Sequence, residues 1–199
     1  MTPFTTLTAI ALPLPINNID TDRITPARFL RKPRSSGYHH FLFNDLRFLE
    51  NGEKNPDFVL NQASYEGARI LVAGTNFGCG SSREGSVWAL EGFGFRALIA
   101  PSFGDILFNN CFKNGVLPII LPAEAVTALL TLLEARPGAS VAISLPDQTV
   151  TAPDATVYTF EIDRFRKKAL LAGLDEVGLT MSYLDKIKAF EVLHEARGL

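Results

Sequence analysis

Three short apolar runs alternate with helical patterns in the middle of the chain. A continuous apolar run of four or five residues is typical of a buried strand, because both faces of such a strand are covered. The runs lie at residues 70–73, 97–100 and 117–121. Segments that predict helices follow them, at residues 81–90, 103–112 and 122–135. This alternation predicts a parallel sheet flanked by helices.

The pattern changes after Gly138. Alternating runs rich in β-formers are split by Pro-Asp turns and predict antiparallel strands. These strands are expected at residues 140–145, 148–152 and 156–162. Helices are predicted at residues 163–172 and 181–196.

The first strand, predicted at residues 5–15, is followed by a long stretch without a clear period. The sequence predicts a polar loop over residues 16–26, a loop or short helix over 27–43, and irregular structure over 44–61. We expect the first strand to return and pair with the late strands, forming a second β layer.

Composition narrows the classes of protein that the chain represents. Of its 199 residues, 47% are hydrophobic, which is enough for the core of one globular domain. The formal net charge is −2 without a basic block, so binding to nucleic acid through a broad basic surface is not expected. Residues 1–16 are apolar but lack a basic start and contain prolines, which favours a strand over a signal peptide. No segment is apolar for long enough to span a bilayer, so no membrane partner is predicted.

The two cysteines, Cys79 and Cys111, indicate the redox compartment. They make no disulfide framework, which favours a reduced, cytoplasmic protein. They are also too few to hold an iron–sulfur cluster, which usually needs three or four thiolates.

A glycine-rich turn joins the first of the middle strands to its helix. Gly74, Gly78 and Gly80 permit a tight turn that larger residues would resist. Ser81, with Glu84 three residues later, forms a capping-box pattern that predicts the start of a helix. Unsatisfied N–H groups and the helix dipole favour an anion at such a place.

Arg83 strengthens the anion-binding interpretation of this turn. A cation in the first helical turn opposes the dipole, unless it serves to grip a carboxylate or phosphate. The plain alternative is a helix cap with a surface arginine. A nucleotide phosphate loop is a weaker alternative, because the Gly-Lys-Ser/Thr ending and the dinucleotide glycine spacing are missing. Cys79 precedes a helix N-terminus and is either a nucleophile or a small packing residue.

Two further pairs of residues carry candidate chemistry. Asp20 and Asp22 are two positions apart, so in an extended chain they face the same way, although Asp in such a loop also forms turns without chemistry. His39 and His40 raise the alternative of a metal site. The sequence offers them no third ligand at metal spacing, and solvated loop histidines are the simpler interpretation.

Two motifs, Phe77-Gly-Cys-Gly-Ser-Ser-Arg-Glu84 and Asn18-Ile-Asp-Thr-Asp22, closely resemble the small subunit of 3-isopropylmalate dehydratase. That family is the free-standing form of the swivelling domain of aconitase-like enzymes. The similarity continues through residues 41–45, 56–60, 100–103 and 173–180 and so covers nearly the whole chain.

The resemblance implies an α/β fold of the swivelling β/β/α type, similar to the aconitase C-terminal domain, with a mixed sheet and flanking helices. It implies a single swivelling domain over residues 1–199, in which residues 163–199 form a C-terminal helical extension. The implied activity is that of a hydro-lyase, active only with a large subunit. It would interconvert 2-isopropylmalate and 3-isopropylmalate by dehydration and rehydration in leucine biosynthesis. The resemblance places a [4Fe–4S] cluster on that large-subunit partner and no cofactor or metal on this chain.

The resemblance also assigns roles to individual residues. Ser81 is the catalytic base, working as an alkoxide, and the N–H groups of the turn at residues 78–80 are donors suited to stabilise it. Ser82 and Arg83 would hold a carboxylate of the diacid substrate. Asp22 matches an active-site aspartate of the family.

One segment of the chain, and one difference from the usual family sequence, bear on the identity of the substrate. Arg31 lies where related small subunits vary a substrate-recognition loop, and the resemblance implies that it binds substrate. The family usually continues Ser-Arg-Glu-His-Ala, whereas this chain has Gly85 and Ser86. Losing the histidine removes a possible hydrogen-bond partner behind the catalytic turn. Two alternatives follow: a diverged paralogue acting on another malate-type diacid (methylmalate/citraconate or homoaconitate), or a non-catalytic diacid-binding module.

Overall fold

The structure, a computed structural model, describes residues 1–80 and 84–196. The strands are β1 (Thr6–Leu14), β2 (Ile70–Ala73), β3 (Ala97–Ala100), β4 (Leu117–Ile120), β5 (Ser140–Ser144), β6 (Thr149–Thr151) and β7 (Val157–Thr159). The helices are α1 (Thr21–Ile24), α2 (Asn44–Arg47), α3 (Glu84–Phe93), α4 (Asp105–Lys113), α5 (Ala123–Ala135), α6 (Arg164–Ala172), α7 (Glu176–Met181) and α8 (Leu184–Ala196). Short 3-10 helices occupy Ala27–Phe29, Arg34–Ser36, Tyr38–Phe41, Val59–Asn61 and Ala63–Tyr65.

The strands form one seven-stranded mixed sheet in the order β4-β3-β2-β1-β5-β6-β7. β1 belongs to both halves of this sheet. Its second half pairs in parallel with β2, from Ala11 opposite Ile70 onward, and its first half pairs antiparallel with β5, from Thr6 opposite Ser144. The predicted parallel centre and the return of the first strand to the late strands are confirmed. The late strands extend the same sheet through β1, which is a difference from the separate layer that was expected.

The central strands are buried because apolar clusters cover both faces of the sheet. All four residues of β2 and all four of β3 are buried, as continuous apolar runs predict. Alternate side chains enter opposite clusters, so that Leu71 joins the cluster around α3 and Val72 joins the cluster under α5. The cluster around α3 also takes in Phe77 and supports the loops that follow the strands.

Short helices replace some of the loops that the sequence predicts. The polar loop predicted at residues 16–26 contains α1, because the carboxylate of Asp20 accepts a hydrogen bond from the Arg23 N–H at 2.7 Å and caps that helix. The helix predicted at 181–196 begins at Leu184, and α7 precedes it, with Asp175 as its cap. A cap of this kind and an Asp turn have the same sequence pattern, so the pattern alone did not separate them. Within the described ranges, no helix has both the length and the apolar character that crossing a membrane requires.

Candidate active site

Three loops meet at one edge of the parallel half of the sheet. β1, β2 and β3 run in the same direction, so the loops that follow their carboxyl ends lie side by side. In open α/β sheets, this is the edge at which ligands bind. The loops span residues 15–20, 74–80 and 101–104, and the second of them is the glycine-rich turn.

The loop after β1 is hydrogen-bonded to the glycine-rich turn much as a parallel strand would be. Gly78 donates its N–H to the Ile19 carbonyl at 2.6 Å, and Thr21 donates its N–H to the Cys79 carbonyl at 3.0 Å. Asp20 and Cys79 form a parallel bridge between these two bonds. Because the Gly78 N–H is engaged in this way, its predicted role as a donor to an anion is wrong.

The loop after β3 fixes the other side of the turn. Phe77 donates its N–H to the Ser102 carbonyl at 3.1 Å, and Gly104 donates its N–H to the Phe77 carbonyl at 2.9 Å. A Cβ atom on Gly104 would lie 2.3 Å from the Gly78 carbonyl oxygen, and one on Gly78 would lie 2.6 Å from a methyl carbon of Leu107. Gly78 also has a φ of +72°, which L-residues with side chains rarely adopt. The turn is therefore held rigidly, and glycine is required on both sides of the contact.

The sequence between Gly80 and Glu84 contains the three residues that the motif most strongly predicts to be functional. Ser81, Ser82 and Arg83 lie outside the described residues, so their roles stay predictions. The structure describes the chain up to Gly80, whose φ is +95°, and again from Glu84, the first residue of α3. A Cβ on Gly80 would lie 3.6 Å from the Cβ of Asp20, so Gly80 lies beside the start of α1.

Asp22 and Asp20 have different surroundings. The side chain of Asp20 caps α1, a local structural role that is related to the turn-forming alternative but was not predicted. Asp22 lies in the first turn of α1 and is exposed. The prediction that both carboxylates face the same way assumed an extended chain, and it is wrong because residues 21–24 are helical. Of the two, Asp22 keeps the position of a substrate-binding candidate.

Ser86 is a site residue that sequence reasoning missed. Its side chain is fully buried, and its hydroxyl donates to the Thr21 carbonyl at 3.2 Å. This bond fastens α3, directly after the candidate catalytic turn, to α1, which carries Asp22. The two partners are 65 positions apart, so no local pattern announced the contact.

Replacing Ser86 with alanine is expected to lower the free energy of unfolding by about 1 kcal/mol, the usual net contribution of one hydrogen bond. The cost stays at this level because the Thr21 carbonyl also accepts from the Thr25 N–H at 2.9 Å. Urea unfolding with an unchanged m-value measures the loss. The exposed Ser64, replaced by alanine, is the control and should change stability by less than about 0.5 kcal/mol. Equal losses in the two variants would contradict a structural role for the Ser86 hydroxyl.

Arg31 and Arg34 lie in the segment before α2, and part of this segment contacts α3. The two arginines differ in their contacts. Arg31 is exposed in the turn between two 3-10 helices, as a residue that meets substrate would be. Arg34 lies with its guanidinium carbon 5.1 Å from the centre of the Trp88 ring and 3.7 Å from a carboxylate oxygen of Glu91. These contacts give Arg34 a packing role on α3.

Metal and thiol chemistry find little support in the part of the chain that the structure describes. Its His, Cys, Asp and Glu side chains include no group of three or more that could hold a metal ion. The rings of His39 and His40 lie 3.9 Å apart, centre to centre. Cys111 is buried, and burial raises the pKa of its thiol well above the ordinary value, while Cys79 is partly buried in the turn. These residues therefore do not fit a [4Fe–4S] cluster.

Comparisons with known proteins agree on one family. The family model described as Aconitase C-terminal domain matches residues 1–124, and the one described as LeuD_N matches residues 127–164. The 3-isopropylmalate dehydratase small subunit of Paramagnetospirillum magneticum is 53% identical over 191 residues, which cover 96% of this chain and 95% of that protein. The small subunit of the same name from Leptospira interrogans is 54% identical over 193 residues and covers 96% and 94%.

A solved structure agrees with the fold. The crystal structure of 3-isopropylmalate dehydratase from Methanocaldococcus jannaschii is 26% identical and superposes with a TM-score of 0.63. The match covers 95% of this chain and 99% of that chain. The fold of this chain is thus similar to that of the solved structure over 95% of its length.

Proposed function

This chain belongs to the family of 3-isopropylmalate dehydratase small subunits, and we propose that, with a large subunit, it interconverts 2-isopropylmalate and 3-isopropylmalate in leucine biosynthesis. The observation that carries the proposal is the 53% identity to a curated small subunit over 96% of the chain. The meeting of three loops at the carboxyl ends of β1, β2 and β3 supports it, because a small diacid would bind at such an edge.

We propose a division of labour in which the [4Fe–4S] cluster lies on the large subunit. This chain contains two cysteines, and one of them, Cys111, is fully buried in the core. The proposed contribution of this chain is to bind the diacid and to transfer the proton. We also place the protein in the cytoplasm, which suits a chain whose two cysteines are free thiols.

Ser81 is the group proposed to remove the proton from the carbon beside a substrate carboxylate. A serine hydroxyl is a very weak acid, so its alkoxide needs several donors directed at it. The Gly78 N–H is committed to Ile19, so these donors must come from residue 79 onward and from the N-terminus of the ten-residue helix α3. Ser82 and Arg83, in the same turn, would hold a carboxylate of the substrate.

Asp22 and Arg31 are the proposed substrate contacts contributed by other segments. Both are exposed, as groups that meet a substrate at a subunit boundary would be. The Gly85 departure does not favour another substrate class, because the space beside Gly85 is filled by the ring of Tyr38. The diverged-paralogue and binding-module alternatives therefore gain no support from this position.

The test is to reconstitute the chain with a large subunit, taken from an organism that carries both the large and the small subunit. We expect turnover of 2-isopropylmalate, followed as 2-isopropylmaleate formation, together with iron and sulfide that co-purify only when the large subunit is present. The chain alone should show neither activity nor stoichiometric iron. Turnover restricted to methylmalate or homoaconitate would contradict the proposed substrate, and stoichiometric iron on the isolated chain would contradict the division of labour.

A further inference from the structure

Gly85 and Tyr38 are packed so closely that each determines what the other position can hold. A Cβ atom on Gly85 would lie 2.8 Å from the Cε1 atom of Tyr38, closer than real Cβ contacts allow. The ring of Tyr38 is 4% exposed and meets the ring of Trp88 edge-on, with centroids 5.2 Å apart. It therefore has no free direction in which to move away from a larger residue at position 85.

The hydroxyl of Tyr38 connects this contact to the turn that carries Arg31. It donates to the Lys32 carbonyl at 3.0 Å, and this hydrogen bond is partly buried. Lys32 is the neighbour of Arg31, and both side chains are exposed. A rigid ring that is fixed on α3 thus holds the backbone of the Arg31 turn through one hydrogen bond.

The other end of the segment is fixed by separate contacts. Arg28 makes an ion pair with the carboxylate of Asp45 and donates to the side-chain oxygen of Asn44 at 2.8 Å. Phe29 stacks on Phe41 with ring centroids 4.3 Å apart. The Arg31 turn is therefore held on one side by the contacts of Arg28 with α2 and on the other by the contacts of Tyr38 with α3.

We propose that Tyr38, seated over Gly85, is the positioning residue that sets the Arg31 turn relative to the candidate catalytic turn and so controls how tightly the diacid binds. The inference rests on the proposed function, since it assigns the consequence of this packing to substrate binding. It also gives the Gly85 departure a physical role: the absence of a side chain at position 85 creates the space that Tyr38 fills.

Steady-state kinetics of the reconstituted enzyme with 2-isopropylmalate test the proposal. Tyr38→Phe removes only the hydroxyl and should raise KM roughly fivefold, the factor that corresponds to one hydrogen bond, with kcat within about twofold of wild type. Gly85→Ala should raise KM roughly tenfold, because it displaces the ring. In a Tyr38→Leu background, which removes the ring, adding Gly85→Ala should change KM by less than about twofold.

Gly92→Ala is the matched control in the same helix. Its Cβ would lie 3.6 Å from His39, an ordinary contact, so the change alters helix propensity without displacing the segment. KM should stay within about twofold of wild type. A KM increase that is equal for Gly92→Ala and Gly85→Ala, or equal with and without the Tyr38 ring, would overturn the proposal.

Hydrogen exchange on the full chain gives a readout that needs no turnover. Amide exchange across residues 28–41 should accelerate roughly tenfold in Gly85→Ala and stay unchanged in Gly92→Ala. Unchanged exchange in Gly85→Ala, or faster exchange with an unchanged KM, would refute the positioning role. A wild-type enzyme that is inactive on 2-isopropylmalate would refute the proposed function instead, and exchange would still decide whether Tyr38 holds the segment.

Discussion

Replacing Ser81 with alanine is expected to lower kcat of the assembled enzyme by roughly 10²–10⁴-fold, the contribution typical of a positioned general base. Substrate affinity should change little, because the carboxylate-binding groups remain. The physical reason is that a methyl group cannot accept the proton from the carbon beside the carboxylate. Steady-state kinetics with 2-isopropylmalate, together with equilibrium binding of the substrate, separate the two effects.

Ser82→Ala is the matched control for this experiment, since it removes a hydroxyl from the next residue of the same turn. Its proposed role is to bind a carboxylate, so it should raise KM by roughly tenfold and lower kcat by a smaller factor than Ser81→Ala. Turnover at the wild-type level in the Ser81 variant would remove that residue from the mechanism. Identical kinetics in the two variants would show that the turn binds substrate without supplying the base.

Replacing Gly78 with alanine is expected to lower the free energy of unfolding by roughly 2–5 kcal/mol. One part, about 1–2 kcal/mol, comes from holding alanine in the left-handed region at a φ of +72°. The other part, about 1–3 kcal/mol, comes from overpacking, because the new methyl would lie 2.6 Å from a methyl carbon of the buried Leu107. Activity should fall with stability, since the turn that leads to Ser81 must shift to make room.

Gly67→Ala separates these two contributions to the Gly78 result. Gly67 has a φ of +73°, and a methyl group added there would point into open space, so only the backbone part of the cost applies. Chemical unfolding of both variants should therefore differ by about 1–3 kcal/mol, which is the overpacking part alone. Equal stabilities would mean that Leu107 moves aside without cost and that the turn is less tightly held than its packing indicates.

The parts of the fold that the sequence predicted well are those whose cause is local. The run at residues 70–73 is continuous and apolar, and it forms a strand that is buried on both faces. Gly94 follows Phe93, the last residue of α3, and its φ of +118° ends the helix. An aspartate at the start of a polar segment is compatible with both a loop turn and a helix cap, and here the prediction was wrong. Asp20 caps a helix in a segment that was expected to be a loop.

The parts that the sequence did not predict depend on contacts between distant segments. Tyr38 fills the space beside Gly85, and Ser86 binds Thr21, and neither partner is close in the chain. The engagement of the Gly78 N–H by Ile19 is of the same kind. A sequence motif identifies the residues that carry the chemistry. The groups that hold those residues in place belong to segments that are distant in the chain and become neighbours only in the fold.

The sharing of β1 between both halves of the sheet affects how the chain is made. β1 leaves the ribosome before the other six strands, yet it lies in the middle of the finished sheet, between β2 and β5. One edge of the nascent strand stays open until Ile70–Ala73 emerges, and the other until Ser140–Ser144 emerges. During translation this apolar strand therefore exposes unpaired backbone groups with which the strands of other chains can pair, so aggregation can begin there.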